Sequence, residues 1–200
     1  MLLDKGKNMN KTICSISGFM AFLLISASSI CAGELNFKLK PLEGKNRIEL
    51  SQLLENGPVL VAFWATWCHP CQDELSKLQK IYEVYRDSGI SFFAISIDDV
   101  KTTGKIKTVA AGKRLTIPIL LDPEQEAMQA IGLSNVPGVF IVGKGGEILY
   151  QHIGYKPGDE AGLEENIKAI VGRMRKSGNS PLPDSSALSD TTTTSGKEDK

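Results

Sequence analysis

Residues 59–71 read VLVAFWATWCHPC. The first six form a continuous apolar run rich in β-forming residues, which is the pattern of a strand covered on both faces. Cys68 and Cys71 follow this run, and apolar residues then recur at helical spacing up to Gly89. The stretch therefore predicts a buried strand, a C-x-x-C motif and a helix in immediate succession.

The segments on either side of this stretch alternate between strand and helix patterns. Extended segments are predicted at residues 36–39, 47–50, 90–97, 120–122, 139–142 and 147–153, the last two joined as a hairpin by Lys144-Gly145-Gly146. Helices are predicted at residues 102–113, 124–131 and 159–175, with a brief one capped by Ser51. This order, β-α-β and then β-β-α, predicts an α/β or α+β sandwich built on a central sheet.

The composition is that of an ordinary globular protein without an excess of either charge. The chain has 200 residues, of which 42% are hydrophobic and 23% charged, and its 23 basic residues balance its 23 acidic ones. These values argue against collagen-like, coiled-coil and wholly disordered chains. Without a basic excess, nothing in the composition points to binding of nucleic acid or of anionic lipid.

The two ends of the chain differ from residues 33–176, which have the size of a single domain. Residues 1–32 are predicted to be a signal peptide, because Lys11 precedes a mostly apolar segment and small residues lead up to Ala32. An uncleaved membrane anchor and lipid attachment at Cys31 are the alternatives. Residues 177–200 are polar and are predicted to be a disordered tail.

The cysteine content depends on this leader. Cleavage after Ala32 would remove Cys14 and Cys31 and leave Cys68 and Cys71 as one pair. The protein is then expected in an oxidising compartment, periplasmic or otherwise exported, and soluble once the signal is cleaved. With an uncleaved leader it would be tethered to the membrane and face the periplasm.

The C-x-x-C motif has three non-redox explanations, and each lacks a feature that it needs. A structural zinc site normally takes four protein ligands, and the two histidines of the chain are His69 and His152. Covalent haem attachment requires a histidine directly after the second cysteine, where Gln72 stands. A structural disulfide across so short a loop adds little stability. We therefore expect redox chemistry at the pair, with no metal and no cofactor.

The position of the motif favours a reactive thiolate. Cys68 would begin the helix, where unpaired backbone N–H groups and the helix dipole stabilise negative charge on sulfur. Pro70 fits the first helical turn, because its missing N–H is not needed there. Cys71 lies one turn further on, within reach of Cys68.

The segment from Phe63 to Cys71 closely resembles the thioredoxin-like superfamily, in particular the secreted TlpA/ResA/DsbE branch of thiol–disulfide oxidoreductases. The resemblance extends from about Phe37 to Val171. It includes three further motifs: Gly44…Leu50-Ser51-Gln52-Leu53, Asn135-Val136-Pro137, and Phe140-Ile141-Val142 with Gly145-Gly146-Glu147. It implies a thioredoxin-like α/β fold, with a central mixed β-sheet flanked by helices and an N-terminal β-extension.

The resemblance also implies a role for the residues of the motif and of the proline loop. Cys68 would be the attacking nucleophile and Cys71 the resolving thiol, joined as a disulfide in the oxidised form. Val136 and a cis Pro137 would flank this disulfide and hold a substrate backbone in extended pairing. Trp67 would line the rim of the site.

Four positions near the motif bear on how far the resemblance holds. Ala62 replaces the buried aspartate of general thioredoxins. Glu74 matches a glutamate of the TlpA/ResA branch and could hold or relay the proton when Cys71 attacks; the alternative is a solvated carboxylate in the first helical turn. Ser76 replaces a proline, and Gly138 replaces a threonine, which would leave the substrate groove more open.

Two further features allow more than one interpretation. A protonated His69 could stabilise the Cys68 thiolate and make the disulfide more oxidising; otherwise it is an exposed residue with only a tuning effect. Asp98 and Asp99, which end a predicted strand, are interpreted as a helix-capping or turn pair.

Together these features predict an exported thiol–disulfide oxidoreductase that reduces disulfides of exported client proteins, such as apocytochrome c before haem attachment. The resemblance implies a membrane electron donor of the DsbD/CcdA type as its partner. A disulfide oxidase or isomerase is the alternative within redox chemistry. A copper metallochaperone is the alternative from another class, although none of the five methionines adjoins the motif.

Overall fold

The computed structural model describes residues 35–178, in which strands and helices alternate along the chain. The strands are β1 Lys38–Pro41, β2 Ile48–Glu49, β3 Val59–Trp64, β4 Ser91–Ser96, β5 Ile119–Leu121, β6 Gly138–Val142 and β7 Ile148–Ile153. The helices are α1 Leu50–Leu54, α2 His69–Tyr85, α3 Thr103–Gly112, α4 Glu126–Ala130 and α5 Asp159–Lys176, with a 3-10 turn at Val100–Thr102 before α3. Each predicted strand and helix is present, with ends shifted by a few residues.

The seven strands form one sheet in the order β2-β1-β5-β4-β3-β6-β7. Strand β3 pairs in parallel with β4 and antiparallel with β6, and all of its side chains are buried. A strand with a neighbour on each edge and packing on each face leaves no position for a polar side chain. This central place explains the unbroken apolar run that precedes Cys68.

The outer strands make the sheet mixed. Strand β4 pairs in parallel with β5, whereas β1 pairs antiparallel with both β5 and β2. At the opposite edge, β7 pairs antiparallel with β6. The mixed sheet with its helices confirms the predicted fold class, and β1 and β2 form the predicted N-terminal β-extension.

Helices α2 and α5 pack against each other and turn apolar faces toward the core. The buried face of α5 consists of Leu163, Ile167, Ile170 and Val171. Helix α2 buries Leu75, Leu78 and Ile81, and each such side chain contributes roughly 1.5–3 kcal/mol when removed from water. The same face of α2 carries Cys71 and Glu74, so the packing of the helix also draws these two residues into the interior.

Ser51 does not cap α1, contrary to the prediction. The helix begins at Leu50, and Glu49 occupies the N-cap position without a capping side-chain hydrogen bond. The Ser51 N–H donates instead to Asn36 Oδ1 at 3.1 Å, and the Ser51 hydroxyl donates to Glu49 Oε1 at 3.1 Å. The N-terminal N–H of the helix is thus satisfied by a side chain from a distant segment, a partner that local sequence does not reveal.

The predicted signal peptide, residues 1–32, and nearly all of the predicted tail, residues 177–200, lie outside the described residues. Within residues 35–178, no helix combines the length and the apolar character needed to cross a membrane.

Gly57 lies where the turns before β3 and β4 touch, and its replacement tests this contact. A Cβ at Gly57, whose φ is +152°, would lie 2.4 Å from the Gly89 carbonyl oxygen. Gly57→Ala should force the two turns apart and lower the free energy of unfolding by about 2 kcal/mol or more. The measurement is urea unfolding of both the variant and the unchanged protein.

Gly132→Ala is the matched control for this experiment. Gly132 also has a positive φ, +78°, but no atom lies within 4 Å of the added Cβ. It should therefore lose only the roughly 1 kcal/mol that a left-handed backbone costs an L-residue. Equal losses in the two variants would contradict the close contact as the cause.

Candidate active site

Cys68 occupies the N-cap position of α2, directly after the loop that leaves β3. Its backbone N–H donates to the Ala65 carbonyl at 3.1 Å, and its sulfur accepts from the Cys71 N–H at 3.3 Å. Pro70 lies in the first turn of the helix, as predicted. The positive end of the helix and one of its N–H groups therefore act on the Cys68 sulfur, which favours negative charge there.

Cys68 and Cys71 form the predicted disulfide, with their Cα atoms 5.3 Å apart. The two cysteines differ in access, because Cys68 remains 7% exposed and Cys71 is fully buried. An incoming thiolate can therefore reach the Cys68 side of the bond and not the Cys71 side.

The loop before β6 approaches the motif from the neighbouring strand. The first residue of β6, Gly138, pairs with Phe63 near the end of β3. The Val136–Pro137 peptide bond just before it is cis, as the resemblance implies. Because β3 and β6 are antiparallel, the start of β6 lies at the end of β3, and Val136 and Pro137 reach the sheet edge where Cys68 begins α2.

Gly138, the first residue of β6, is closely surrounded by side chains of the interior. A Cβ at this position would lie 2.8 Å from Leu133 Cδ1 and 3.3 Å from Phe140 Cε2. Gly138 is itself buried. Leu133 thus fills the volume that a side chain at this position would occupy, and the glycine allows this close packing.

Trp67, His69 and Pro70 surround the disulfide on the surface. Trp67 is 68% exposed, and His69 and Pro70 are exposed as well. Trp64, in contrast, is buried in the core. Trp67 thus presents a large apolar surface next to Cys68 in the sequence, whereas solvent screens any charge on His69.

Glu74 is buried, so the alternative of a solvated first-turn carboxylate is wrong. Only 6% of its surface is exposed, whereas the neighbouring Asp73 is exposed. Burial raises the pKa of the Glu74 carboxyl to about 8, and the negative charge of Asp159 adds a smaller contribution in the same direction. Because Glu74 follows Cys71 by three residues on the inner face of α2, a mostly neutral carboxyl lies near the buried sulfur at neutral pH.

A cavity of about 10 Å³, the space that one water molecule needs, lies beside Glu74 between α2, α5 and the last two strands. Its polar lining includes Tyr150, His152, Tyr155 and Asp159. His152 Nε2 lies 3.0 Å from Asp159 Oδ2, and burial raises the pKa of Tyr150. Glu74 and the His152–Asp159 pair therefore line the same small cavity.

The sequence did not indicate that Asp98 and Gln72 hold the loop before Cys68. Both side chains bind Thr66 in that loop: Asp98 accepts from its N–H and hydroxyl, and Gln72 donates to its carbonyl. Asp99 caps the following 3-10 turn, as predicted, but Asp98 does not. Nothing in the sequence distinguishes the two aspartates, because it is the parallel pairing of β3 with β4 that brings Asp98 to Thr66.

The family model for the AhpC/TSA family matches residues 34–151 of the chain. The matched residues include β3, the C-x-x-C motif, Glu74 and the cis proline. The chain belongs to this family. A thioredoxin-like sheet with the cysteine pair at the start of α2 is thus the shared framework of the site.

Curated relatives and solved structures identify the branch. The thiol–disulfide oxidoreductases ResA of Bacillus thuringiensis (strain Al Hakam) and of Bacillus anthracis are each 32% identical over 136 residues, covering 68% of this chain and 75% of the relative. A Chlorobium tepidum protein assigned as thiol:disulfide interchange protein DsbE matches with a TM-score of 0.61 at 26% identity, covering 68% of this chain and 94% of its own. StoA from Bacillus subtilis matches with a TM-score of 0.55 at 25% identity, covering 66% and 95%. The protein is accordingly a thiol–disulfide oxidoreductase of the TlpA/ResA/DsbE type.

The raised pKa of Glu74 predicts a specific dependence of stability on pH. Between its ordinary pKa of 4.5 and about 8, the folded oxidised protein keeps a proton on Glu74 that the unfolded chain has released. The free energy of unfolding should therefore fall as pH rises through this window, by at most about 1.4 kcal/mol per pH unit from this one group. Glu74→Gln carries no such proton, so its stability advantage over the unchanged protein should grow from about pH 5 to about pH 8.

Urea unfolding of the two oxidised proteins at several pH values measures this difference. Asp73→Asn, which removes a carboxyl at the exposed neighbouring position, is the matched control, and its difference from the unchanged protein should change less with pH than that of Glu74→Gln. A constant offset for Glu74→Gln would mean that the Glu74 carboxyl ionises normally in the folded protein.

Proposed function

We propose that this protein is an exported reductase of protein disulfides that passes electrons from a membrane donor to client proteins. The observation that carries the proposal is the difference in solvent exposure between the two cysteines. Cys68 is accessible at the start of α2, whereas Cys71 is buried one turn later on the face that carries Glu74. A nucleophile needs access to the client, whereas a resolving thiol needs access only to the nucleophile.

In the first step, the Cys68 thiolate attacks one sulfur of a client disulfide. A bond forms between Cys68 and that sulfur, the client disulfide breaks, and the other client sulfur leaves as a thiolate that takes a proton from water. The N-terminus of α2 supports this step because it stabilises the thiolate before the attack.

In the second step, Cys71 attacks the Cys68 sulfur of the mixed disulfide. The Cys68–Cys71 bond forms and the client sulfur leaves, so that the client gains two electrons and the protein loses two. Cys71 must give up a proton in this step, and Glu74 on the same buried face accepts it when its carboxyl is ionised, which at neutral pH is the case in a minority of the molecules. The pKa of about 8 in the disulfide form keeps the proton on Glu74 at neutral pH.

The cavity beside Glu74 gives this proton a route to the surface. The His152–Asp159 pair also lines this cavity, and both residues are partly exposed. One water molecule between Glu74 and this pair would complete the route.

The client backbone binds along the segment before β6. Val136 is partly exposed and directly precedes the cis Pro137, so its backbone can pair with an extended client chain next to Cys68. Trp67 adds apolar contact at the rim. Both features favour an unfolded or extended client segment over a folded surface.

The direction of electron flow follows from the charges near Cys68. The α2 N-terminus stabilises the thiolate and so makes the couple more oxidising, but the exposed His69 adds little because solvent screens it. Glu74 supplies no positive charge, and above its pKa of about 8 it repels the thiolate. We expect a reduction potential nearer to the roughly −270 mV of thioredoxin than to the roughly −120 mV of the oxidase DsbA.

The partners are expected from the leader and from the resemblance. Residues 1–32 have the pattern of a secretory signal, so the clients are exported proteins with disulfides, with apocytochrome c as the first candidate. In an oxidising compartment the reduced state needs a supply of electrons. A membrane donor of the DsbD/CcdA type would provide them.

Serine substitutions of the two cysteines test their roles. Cys68→Ser should abolish reduction of insulin, because no accessible nucleophile remains. Cys71→Ser should also stop turnover but accumulate mixed disulfides, because attack succeeds and resolution fails. Non-reducing gels with mass spectrometry detect these adducts.

The two variants serve as controls for each other, since both lose the disulfide. If Cys71→Ser keeps full turnover, or if Cys68→Ser is the variant that traps clients, the assignment of the two roles is wrong.

The direction of electron flow is tested by the reduction potential of the purified protein and by the thiol state of the cysteine pair in cells. Equilibration of the purified protein with glutathione buffers should give a reduction potential closer to that of thioredoxin than to that of DsbA. Acid quench and alkylation of growing cells should find Cys68 and Cys71 mostly as thiols, and deletion of the membrane donor should shift them to the disulfide.

The opposite results identify the alternative function. A mostly oxidised pair in cells, with a potential near the oxidase value, would make the protein a disulfide oxidase or isomerase. A copper metallochaperone would bind Cu(I) tightly through the same thiols without reducing insulin; within residues 35–178, no three His, Cys, Asp or Glu side chains are grouped to hold a metal ion.

A further inference from the structure

Thr66, two residues before Cys68, has each of its backbone and side-chain polar groups bound by a side chain from another element. Its N–H donates to Asp98 Oδ2 at 2.8 Å, and its hydroxyl donates to Asp98 Oδ1 at 2.6 Å. Its carbonyl accepts from Gln72 Nε2 at 2.8 Å. The loop between β3 and α2 is therefore held from the β4 side and from within α2.

Asp98 is itself fixed in place. Its side chain lies just after β4 and is only 4% exposed. The Ser96 hydroxyl donates to Asp98 Oδ2 at 2.8 Å, and the Asp98 N–H donates to Ser96 Oγ at 3.2 Å. A buried carboxylate is costly unless it is hydrogen-bonded, and here both oxygens accept bonds. The carboxylate is thus a rigid acceptor aimed at one residue of the loop.

We propose that Asp98 is a positioning residue for the nucleophile Cys68. The Cys68 N–H bonds to the Ala65 carbonyl, so Thr66 lies inside the tight turn that presents Cys68. Fixing Thr66 fixes this turn, and with it the alignment of the Cys68 sulfur with the Cys71 N–H at 3.3 Å. Without Asp98, the sulfur would lose part of the stabilisation that the helix N-terminus gives its thiolate. The proposal rests on the proposed nucleophilic role of Cys68.

Asp122 provides a matched control elsewhere in the fold. It is also buried, at 1% exposure, and follows β5 as Asp98 follows β4. Its carboxylate accepts from the Ala127 N–H at 3.3 Å and the Met128 N–H at 3.0 Å, at the start of α4. Its loss removes a buried carboxylate and its backbone bonds without touching the loop before Cys68.

The experiment measures the pH profile of Cys68 alkylation in the reduced full-length protein. Iodoacetamide is the probe, and fragmentation of the peptide that contains both Cys68 and Cys71 in the mass spectrometer shows which of the two sulfurs carries the label. The removal of a carboxylate by itself lowers a thiol pKa, but the lost alignment of the turn in Asp98→Ala should outweigh this and raise the pKa of Cys68 by about one unit. The alkylation rate at a pH below that pKa then falls by up to about tenfold. Asp122→Ala should lose stability in urea unfolding but leave the Cys68 profile unchanged.

Two milder variants keep the test valid if Asp98→Ala does not fold. Asp98→Asn retains one oxygen that can accept from the Thr66 N–H and the Ser96 hydroxyl, so its profile should stay within about threefold of the unchanged protein. Thr66→Val removes only the hydroxyl bond and should give a shift between those of Asp98→Asn and Asp98→Ala.

Two results would overturn the positioning role. The first is an unchanged Cys68 profile in folded Asp98→Ala, or in Thr66→Val when Asp98→Ala does not fold. The second is an equal shift in Asp122→Ala, which would make the effect one of general stability. Failure of the nucleophile assignment is seen separately, because only the Cys68→Ser and Cys71→Ser turnover and trapping results depend on it.

Discussion

The pairing of β3 with β4 on one side and with β6 on the other holds the site together. Strand β3 leads into Cys68, β4 leads into Asp98, and β6 begins directly after Pro137. The register that pairs Phe63 with both Ile95 and Gly138 brings these three segments to one edge of the sheet. A slip of one residue in either pairing would turn alternate side chains to the wrong face and would separate the loop from its anchors.

The burial of Glu74 is the second constraint on the chemistry. The apolar side chains of α2 anchor the helix to the sheet and take Glu74 into the interior on the same face. Desolvation then raises the pKa of this carboxyl into the range where it can exchange a proton with a thiol near neutral pH. A buried carboxyl such as that of Glu74 destabilises an apolar core. It is tolerated here because the carboxyl takes part in the chemistry of the site, and functional positions commonly depart from the rule that core residues are apolar.

Two departures from the family pattern can be described from the structure. The Leu133 side chain fills the space beside Gly138, so the change from threonine affects packing in the interior. Ser76 replaces a proline, and α2 continues past it without interruption from His69 to Tyr85, with the Ser76 hydroxyl donating to the Gln72 carbonyl at 2.8 Å.

The sequence by itself determined the order of the elements, the cysteine pair and the chemistry of that pair, because each depends on residues that are close neighbours in the chain; the cis form of Pro137 was implied by the family resemblance. An apolar run, a C-x-x-C motif and helical spacing are local patterns. The burial of Glu74, the filling of the space at Gly138 and the separate tasks of Asp98 and Asp99 were decided by the tertiary structure. Each depends on which distant segment packs beside the residue: α5 and β7 beside Glu74, Leu133 beside Gly138, and the loop after β3 beside Asp98. Contacts of this kind come from strand order and register, which local patterns in a single sequence do not specify.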